Sequence, residues 1–252
     1  MNNFILSEDS NETISIIIPT LNEEKIIEQT LKTLKGLGDI KYEIIVSDGG
    51  SMDKTVELAK RYVQKVAEHK ASFRQNIAEG RNLGASLATG KYLVFIDADV
   101  HIPDINNFFK HVISLFETES NLEGLTVFLK VLPEHVTLSD KLFFGLVNRL
   151  NQIQNNLLHI GAAAGEFQMM RRGTFNKLGG YNSKIVVGED NDLFSRLSKV
   201  GSTRVVSGLH VMHTSRRAHE VGWSQLLYLW LVNLLFVKVL KKSYSKEWKP
   251  VR

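Results

Sequence analysis

Tyr92-Leu93-Val94-Phe95-Ile96-Asp97-Ala98-Asp99 is a run of five apolar residues that leads straight into two carboxylates separated by one alanine. The run reads as a strand, and its acids then fall at the rim of a sheet, solvated and able to face a ligand. The same arrangement occurs upstream. Glu43-Ile44-Ile45-Val46-Ser47-Asp48 ends in an acid before Gly49-Gly50-Ser51 turns the chain, and Ile14 to Pro19 is another short β-branched run. Helical stretches lie between these strands. One follows Thr20-Leu21-Asn22-Glu23, whose Thr…Glu spacing suits a capping box, and continues to about Leu34. A second is capped by Asp53 and carries Val56, Leu58, Ala59 and Tyr62; a third runs from about Ala78 to Thr89 and stops at Gly90. Strands alternating with helices imply βαβ units and a mainly parallel sheet, with active groups at the carboxyl ends of the strands.

Beyond Asp99 the pattern is less regular. Asp104 to Glu117 reads as a helix, Leu122 to Leu132 as a strand, and Thr137 to His159 as a long helix with Phe143, Phe144, Val147 and Leu150 as its apolar stripe. A small-residue loop, Gly161 to Gly165, precedes a strand at Phe167 to Met170; Glu189 to Lys199 is helical and Thr203 to Val206 a last strand. No repeat or linker divides the chain. The expectation is one α/β domain over residues 1–222 and a C-terminal appendage, 223–252.

Composition narrows the class. With 252 residues, 43% hydrophobic and 23% charged, the chain is an ordinary globular protein. The absence of cysteine excludes disulfides and thiolate metal sites and fits a reducing compartment. Met1 to Asn11 is polar and acidic, unlike a secretory signal, so a cytoplasmic location is expected. The net charge is +4, and from Lys238 to Arg252 six cations face one anion, Glu247. Just before them, Leu226 to Val237 is an apolar run with Tyr228 and Trp230, too short for a confident membrane span. It suits an amphipathic helix lying in the membrane interface, with a helix docked on protein as the alternative. Peripheral membrane contact, not nucleic acid, is the expected partner of this segment.

Taken alone, Asp97-Ala98-Asp99 is ambiguous: paired carboxylates suit a hard divalent cation that binds a diphosphate, yet an Asp after a strand is also a common turn former. Glu189-Asp190 alone reads equally as an acidic helix N-terminus after Gly188. A P-loop is absent, and Gly80-Arg81-Asn82-Leu83-Gly84 lacks the Gly-x-Gly-x-x-Gly pattern of dinucleotide sites.

The ordered set of motifs is far more specific than any member. Ile16 to Glu24, Val46 to Thr55, Gly80-Arg81-Asn82-Leu83-Gly84-Ala85, Asp97-Ala98-Asp99, Leu178-Gly179-Gly180-Tyr181-Asn182 and Gly188-Glu189-Asp190-Asn191-Asp192-Leu193 together resemble family 2 glycosyltransferases with the GT-A fold, over about Ile14 to His213. The resemblance implies a Rossmann-like α/β sheet flanked by helices, a nucleoside-diphosphate sugar donor, Mg²⁺ or Mn²⁺, and a glycan or lipid-linked acceptor. It also implies roles. Pro19, Thr20, Glu23, Asp48, Arg81 and Asp97 would lie on the nucleotide-sugar side, Asp48 toward the base with Arg81 near it. Asp99, with Asp97, would ligate the metal. Asp190 would be the base that deprotonates an acceptor hydroxyl for inverting attack, its proton affinity raised by Glu189. His213 is a candidate third metal ligand or a hydrogen-bonded surface residue. Arg216 and Arg217 suit a diphosphate or an acceptor phosphate, or are solvated charge. His101 is not expected to ligate. The rival readings are a sugar-nucleotide nucleotidyltransferase, whose glycine-rich basic loop is missing at Pro19 to Glu23, and a non-catalytic carbohydrate- or partner-binding module of the same fold.

Overall fold

The elements follow one another as β1 (Ile14–Thr20), α1 (Ile27–Leu34), β2 (Tyr42–Asp48), α2 (Thr55–Lys60), β3 (Lys65–Glu68), α3 (Ile77–Ser86), β4 (Tyr92–Ile96) and α4 (Ile105–Thr118). They continue with β5 (Leu122–Val131), α5 (Leu138–Gln152), a π-helical turn (Ile153–Leu157), β6 (Phe167–Arg171), α6 (Arg172–Lys177), α7 (Glu189–Leu197), β7 (Ser202–His213), α8 (Arg216–Val221) and α9 (Trp223–Leu240). The computed structural model describes residues 13–71, 74–240 and 242–245. The stretch Met1 to Asn11 and four of the C-terminal cations, Lys241, Lys246, Lys249 and Arg252, lie outside the described residues.

One seven-stranded sheet runs in the order β3-β2-β1-β4-β6-β5-β7. β1 is buried along its whole length and pairs in parallel with β2 and β4, as suits its isoleucine-rich run. β6 is antiparallel to both β4 and β5, while β7 returns parallel to β5. The reversal at β6 matters for function. Ile96 at the end of β4 stands opposite Phe167 at the start of β6, so the loop entering β6 reaches the same rim as the β4 acids.

Two layers of side chains close the sheet. On one face α1 and α4 supply Leu31, Phe108, Phe109 and Phe116 to a large core. On the other, α3 and α7 pack Ala78, Ala85, Leu193 and Phe194. Gly84 explains the tight seat of α3: a Cβ there would stand 2.4 Å from Ile17 Cγ2 and 3.1 Å from Ser47 Cβ.

Several sequence expectations change in the structure. Thr20 does not cap α1; it ends β1 and donates to Asp48 Oδ1 at 3.2 Å, and α1 begins only at Ile27 with no side-chain cap. Strand pairing holds Thr20, so the helix cannot start there. Asp53 does not cap α2 either: the N-cap is Lys54, without a side-chain cap, and Asp53 one residue earlier accepts from Thr55 N at 2.9 Å and Thr55 Oγ1 at 2.5 Å. The stripe expected on α5 is rotated. Phe144 is buried and Leu150 exposed, because Asn148 turns to the sheet, where its amide pairs both ways with the Leu129 backbone at 2.9 Å. β3 went unread, and β7 is far longer than Thr203 to Val206, bridging a register shift between Val206 and His210. α9 is mostly apolar around its circumference, not amphipathic, and the polar Asn233 at its middle is buried.

Candidate active site

The acids and arginines of the site come from the carboxyl ends of β1, β2, β4 and β7, the entry to β6 and the N-terminus of α7, with Arg81 from α3 and Arg216 from α8. The β1 and β2 loops are stitched to each other first. Asn22 N donates to Ser51 Oγ and Met52 N to Asn22 Oδ1, both at 2.8 Å, and Glu23 N donates to Thr55 Oγ1 at 2.7 Å. Asp48 is the buried hub of this seam. Its Oδ2 accepts from Gly50 N and Ser51 N at 2.9 and 2.8 Å, and its Oδ1 from Thr20 Oγ1 and Ser51 Oγ at 3.2 and 2.5 Å. A carboxylate offers about four acceptor positions, so Asp48 is saturated by its own turn. It reaches a ligand only by releasing one of these bonds. Pro19 is buried beside it at the end of β1.

Arg81 joins this side to the rest. It lies on α3, is 2% exposed, and its guanidinium donates to Glu189 Oε1 at 2.8 Å, to Asp97 Oδ1 at 3.2 Å and to the Gly165 carbonyl at 3.0 Å. The ring of Tyr181 packs 5.4 Å from it. No contact to Asp48 defines its place; Arg81 is instead the buried link between the end of β4 and the start of α7. Asn82 beside it pairs both ways with the Tyr181 backbone at 2.8 and 2.9 Å, which fixes the Leu178–Tyr181 turn.

Arg216 makes the second link. From the start of α8 it reaches Glu23 Oε2 and Oε1 at 3.3 and 3.4 Å and Asp99 Oδ2 at 3.4 Å. Thr214 Oγ1 donates to the same Asp99 oxygen at 2.6 Å. His213 closes β7, buried, with Nδ1 accepting from Ser215 N at 3.2 Å while Nε2 has no hydrogen-bond partner. Burial, countered by Asp99 and Asp140, holds its pKa below the usual value; because Nδ1 accepts, the proton of the neutral ring sits on Nε2, which can take a metal only once that proton has moved to Nδ1. Arg217 is half-buried next to Arg216. The backbone of His101 pairs with that of Met212 at 2.7 and 2.8 Å, and its side chain is exposed.

Glu166 escaped the sequence reading. It follows the small-residue loop into β6, and its carbonyl accepts from Asp97 N at 3.4 Å. Burial, reinforced by Asp97, Asp190 and Asp99, pushes its carboxyl up to about 8. Burial also raises Glu189 and Asp190, each feeling Asp97 and opposed by Arg81. Asp190 stands in the first turn of α7, and its Oδ1 accepts from Asn191 N at 2.7 Å.

Six carboxylates (Glu23, Asp97, Asp99, Glu166, Glu189, Asp190) thus share two guanidinia, Arg81 and Arg216, in one cluster of contacts and mutual charge. That excess of negative charge, with its oxygen donors, fits a hard divalent cation. The donors are not preassembled: among the described residues no three acidic, histidine or cysteine side chains already converge on one point.

Comparison with known proteins agrees with the layout. Residues 15–179 match the family described as Glycosyl transferase family 2. An uncharacterized protein of Methanocaldococcus jannaschii is 37% identical over 123 residues, 44% of this chain and 46% of that protein. A PGL/p-HBAD biosynthesis glycosyltransferase of Mycobacterium tuberculosis is 34% identical over 88 residues, 34% of each chain. The chain therefore matches less than half the length of these curated relatives. Among solved structures, a mannosyltransferase of Pyrobaculum calidifontis in complex with GDP-Man and Mn²⁺ superposes with a TM-score of 0.71 at 18% identity, covering 94% of this chain and 66% of that one. This likeness establishes the fold, that of GT-A glycosyltransferases.

Proposed function

Since the chain belongs to glycosyl transferase family 2, we propose that it is an inverting, metal-dependent glycosyltransferase that moves a sugar from a nucleoside-diphosphate sugar to a hydroxyl of a glycan or lipid-linked acceptor. The observation that carries this reading is the single buried guanidinium of Arg81, which binds an acid of the β4 rim and the acid next to Asp190 at once. Donor-side and acceptor-side groups are thereby held in one frame, the condition for an in-line displacement.

In this reading Pro19, Thr20, Glu23 and the Asp48 turn line the nucleoside side, with Asp97 close to the ribose. Arg81 acts as the positioning residue between Asp97 and Glu189. Asp97, Asp99 and His213 would hold Mg²⁺ or Mn²⁺, which when bound offsets charge on the diphosphate leaving group. Arg216, released from Glu23 and Asp99, turns its planar fork to the phosphate oxygens, with Arg217 beside it. Asp190 takes the proton of the acceptor hydroxyl as that oxygen bonds to the anomeric carbon. The bond from that carbon to the diphosphate oxygen breaks on the opposite face, which inverts the centre. Burial suits Asp190 to this work because a raised proton affinity makes a carboxylate a better base. Residues 223–252 are an appendage to the catalytic domain, and through them the enzyme rests peripherally on the inner face of the membrane, where a lipid-linked acceptor is met.

Thermal shift against a panel of UDP-, GDP- and dTDP-sugars, with and without Mn²⁺, tests the donor side. One nucleotide should raise the Tm of the parent only when Mn²⁺ is present, and Asp99→Asn should abolish the increment. Metal-dependent stabilisation that survives in Asp99→Asn would remove Asp99 from the metal site, and a panel without any response would count against the donor class.

A further inference from the structure

The surface of α5 is unusual for a water-facing helix. Leu138, Leu142, Leu146, Leu150, Ile153 and Leu157 form a continuous ridge along α5 and its π-helical turn, with Leu138, Leu142 and Leu157 exposed by 72, 68 and 70%. α9 exposes a second apolar face: Tyr228, Leu231, Leu235 and Val239, the last by 77%. The two helices meet where the Phe143 ring packs 4.0 Å from that of Trp223 and 5.4 Å from that of Trp230. All three rings are only half-buried, so the seam between the helices is itself open at the surface. An exposed apolar surface of this extent marks an interaction site.

Charge identifies the occupant. The only acid between Leu138 and Ile160 is Asp140, which is buried and engaged by Thr137, His219 and Trp223. The exposed charges on α5 are Lys141 and Arg149. Residues Trp223 to Leu240 contain no acid, and Lys242 just beyond them is exposed. A two-fold contact between copies would set these like charges against themselves. Leucine, tryptophan and tyrosine interleaved with cations, and no acid, match an anionic bilayer surface. Among the described residues no helix is long and apolar enough to cross a membrane, so the helices lie on the bilayer, not through it.

We infer that α5, a helix of the catalytic domain itself, is the second half of a membrane-docking face that α9 completes, and that the enzyme binds anionic lipid with both. This rests on the proposed membrane contact of the appendage and extends it to the domain. It also ties docking to the site. Asp140 at the start of α5 accepts from His219 Nε2 at 2.9 Å and Trp223 Nε1 at 3.2 Å, across the short helix that begins with Arg216.

Because the chain has no cysteine, single cysteines at Leu146→Cys and, as control on the opposite edge of the sheet, Glu57→Cys take a polarity-sensitive fluorophore cleanly. With vesicles containing phosphatidylglycerol, the label at position 146 should shift to the blue and be quenched by spin-labelled lipid, while the label at position 57 should do neither. L142E/L146E should lower the vesicle-bound fraction roughly tenfold or more at unchanged Tm, because two exposed leucines no longer enter the bilayer. Vesicle binding by the full chain with a silent label at position 146 would overturn the role of α5 while leaving that of α9 intact. No vesicle binding at all would overturn both. A dimer in sedimentation that L142E/L146E dissociates would assign the face to a second copy instead.

Discussion

The two halves of this molecule hold their acids in opposite ways. At the end of β2 the acid is satisfied by its own turn and the neighbouring strand, as Asp48 is by Gly50, Ser51 and Thr20. From the end of β4 through β6, α7 and β7 the functional groups depend on partners far away in sequence: Glu189 on Arg81, Asp99 on Thr214 and Arg216. A local scaffold can bind, because it is rigid without help. A remote one can respond, because each partner can be exchanged. The proposed chemistry lies in the second half, and that division is open to test.

The largest effect is expected at Asp190. Asp190→Asn should lower kcat by about 10²- to 10⁴-fold while the affinity for donor and metal stays near that of the parent. The parent kcat should also fall as pH drops, because the base must be ionised and burial raises its pKa. That limb should lie above the ordinary carboxylate range and be missing from the residual activity of Asp190→Asn. If donor affinity fell in step with turnover, Glu189-Asp190 would belong to the binding half and the contrast would collapse.

Arg81 is where the halves join, so its loss should be structural. Arg81→Gln leaves Glu189 and Asp97 without their buried countercharge, and removal of one partner of such a pair costs about 3–5 kcal/mol. Denaturant unfolding should show that loss, and Arg81→Gln with Glu189→Gln should recover part of it, the coupling expected of direct contact. A change below about 0.5 kcal/mol would mean that the halves fold independently of this link.

The same division decides what the sequence discloses. Most of the βαβ half was legible because β1, β2 and β4 are short apolar runs, β2 and β4 leading directly into acids, and Gly84 and Gly90 mark packing that a local pattern reflects. β3 was not, since Lys65-Val66-Ala67-Glu68 alternates weakly and owes its pairing to β2. Of the site, the acids of the motifs were visible, but not their partners. Arg81 is expected from its motif on the nucleotide-sugar side near Asp48, and only the fold, bringing Glu189 across 108 positions, buries it against the start of α7. Glu166 had one faint signal, an acid directly after a small-residue loop, and its importance comes from the antiparallel return of β6. The α5 stripe misled for a related reason: Asn148 and Asp140 face inward because their partners, Leu129, His219 and Trp223, do not lie on α5.

The finest test of exchangeable partners is Arg216. In the structure its guanidinium lies between Glu23 and Asp99 and offsets the charge that would otherwise draw a cation. With the diphosphate present, the same fork has phosphate oxygens to bind. Arg216→Gln should therefore act with opposite signs in the two states. Mn²⁺ affinity of the nucleotide-free protein should rise, because Asp99 is no longer paired. Affinity for a nucleoside diphosphate in the presence of Mn²⁺ should fall. Each change is modest, since a partly exposed ion pair is worth about 1 kcal/mol, or roughly fivefold in a binding constant. Electron paramagnetic resonance of free Mn²⁺ measures the first and calorimetry with the diphosphate the second. A structural role for Arg216 would weaken both together, and an idle surface arginine would change neither. Opposite signs require that one guanidinium serve the empty site and the loaded site in turn, which a locally satisfied group such as Asp48 has no means to do.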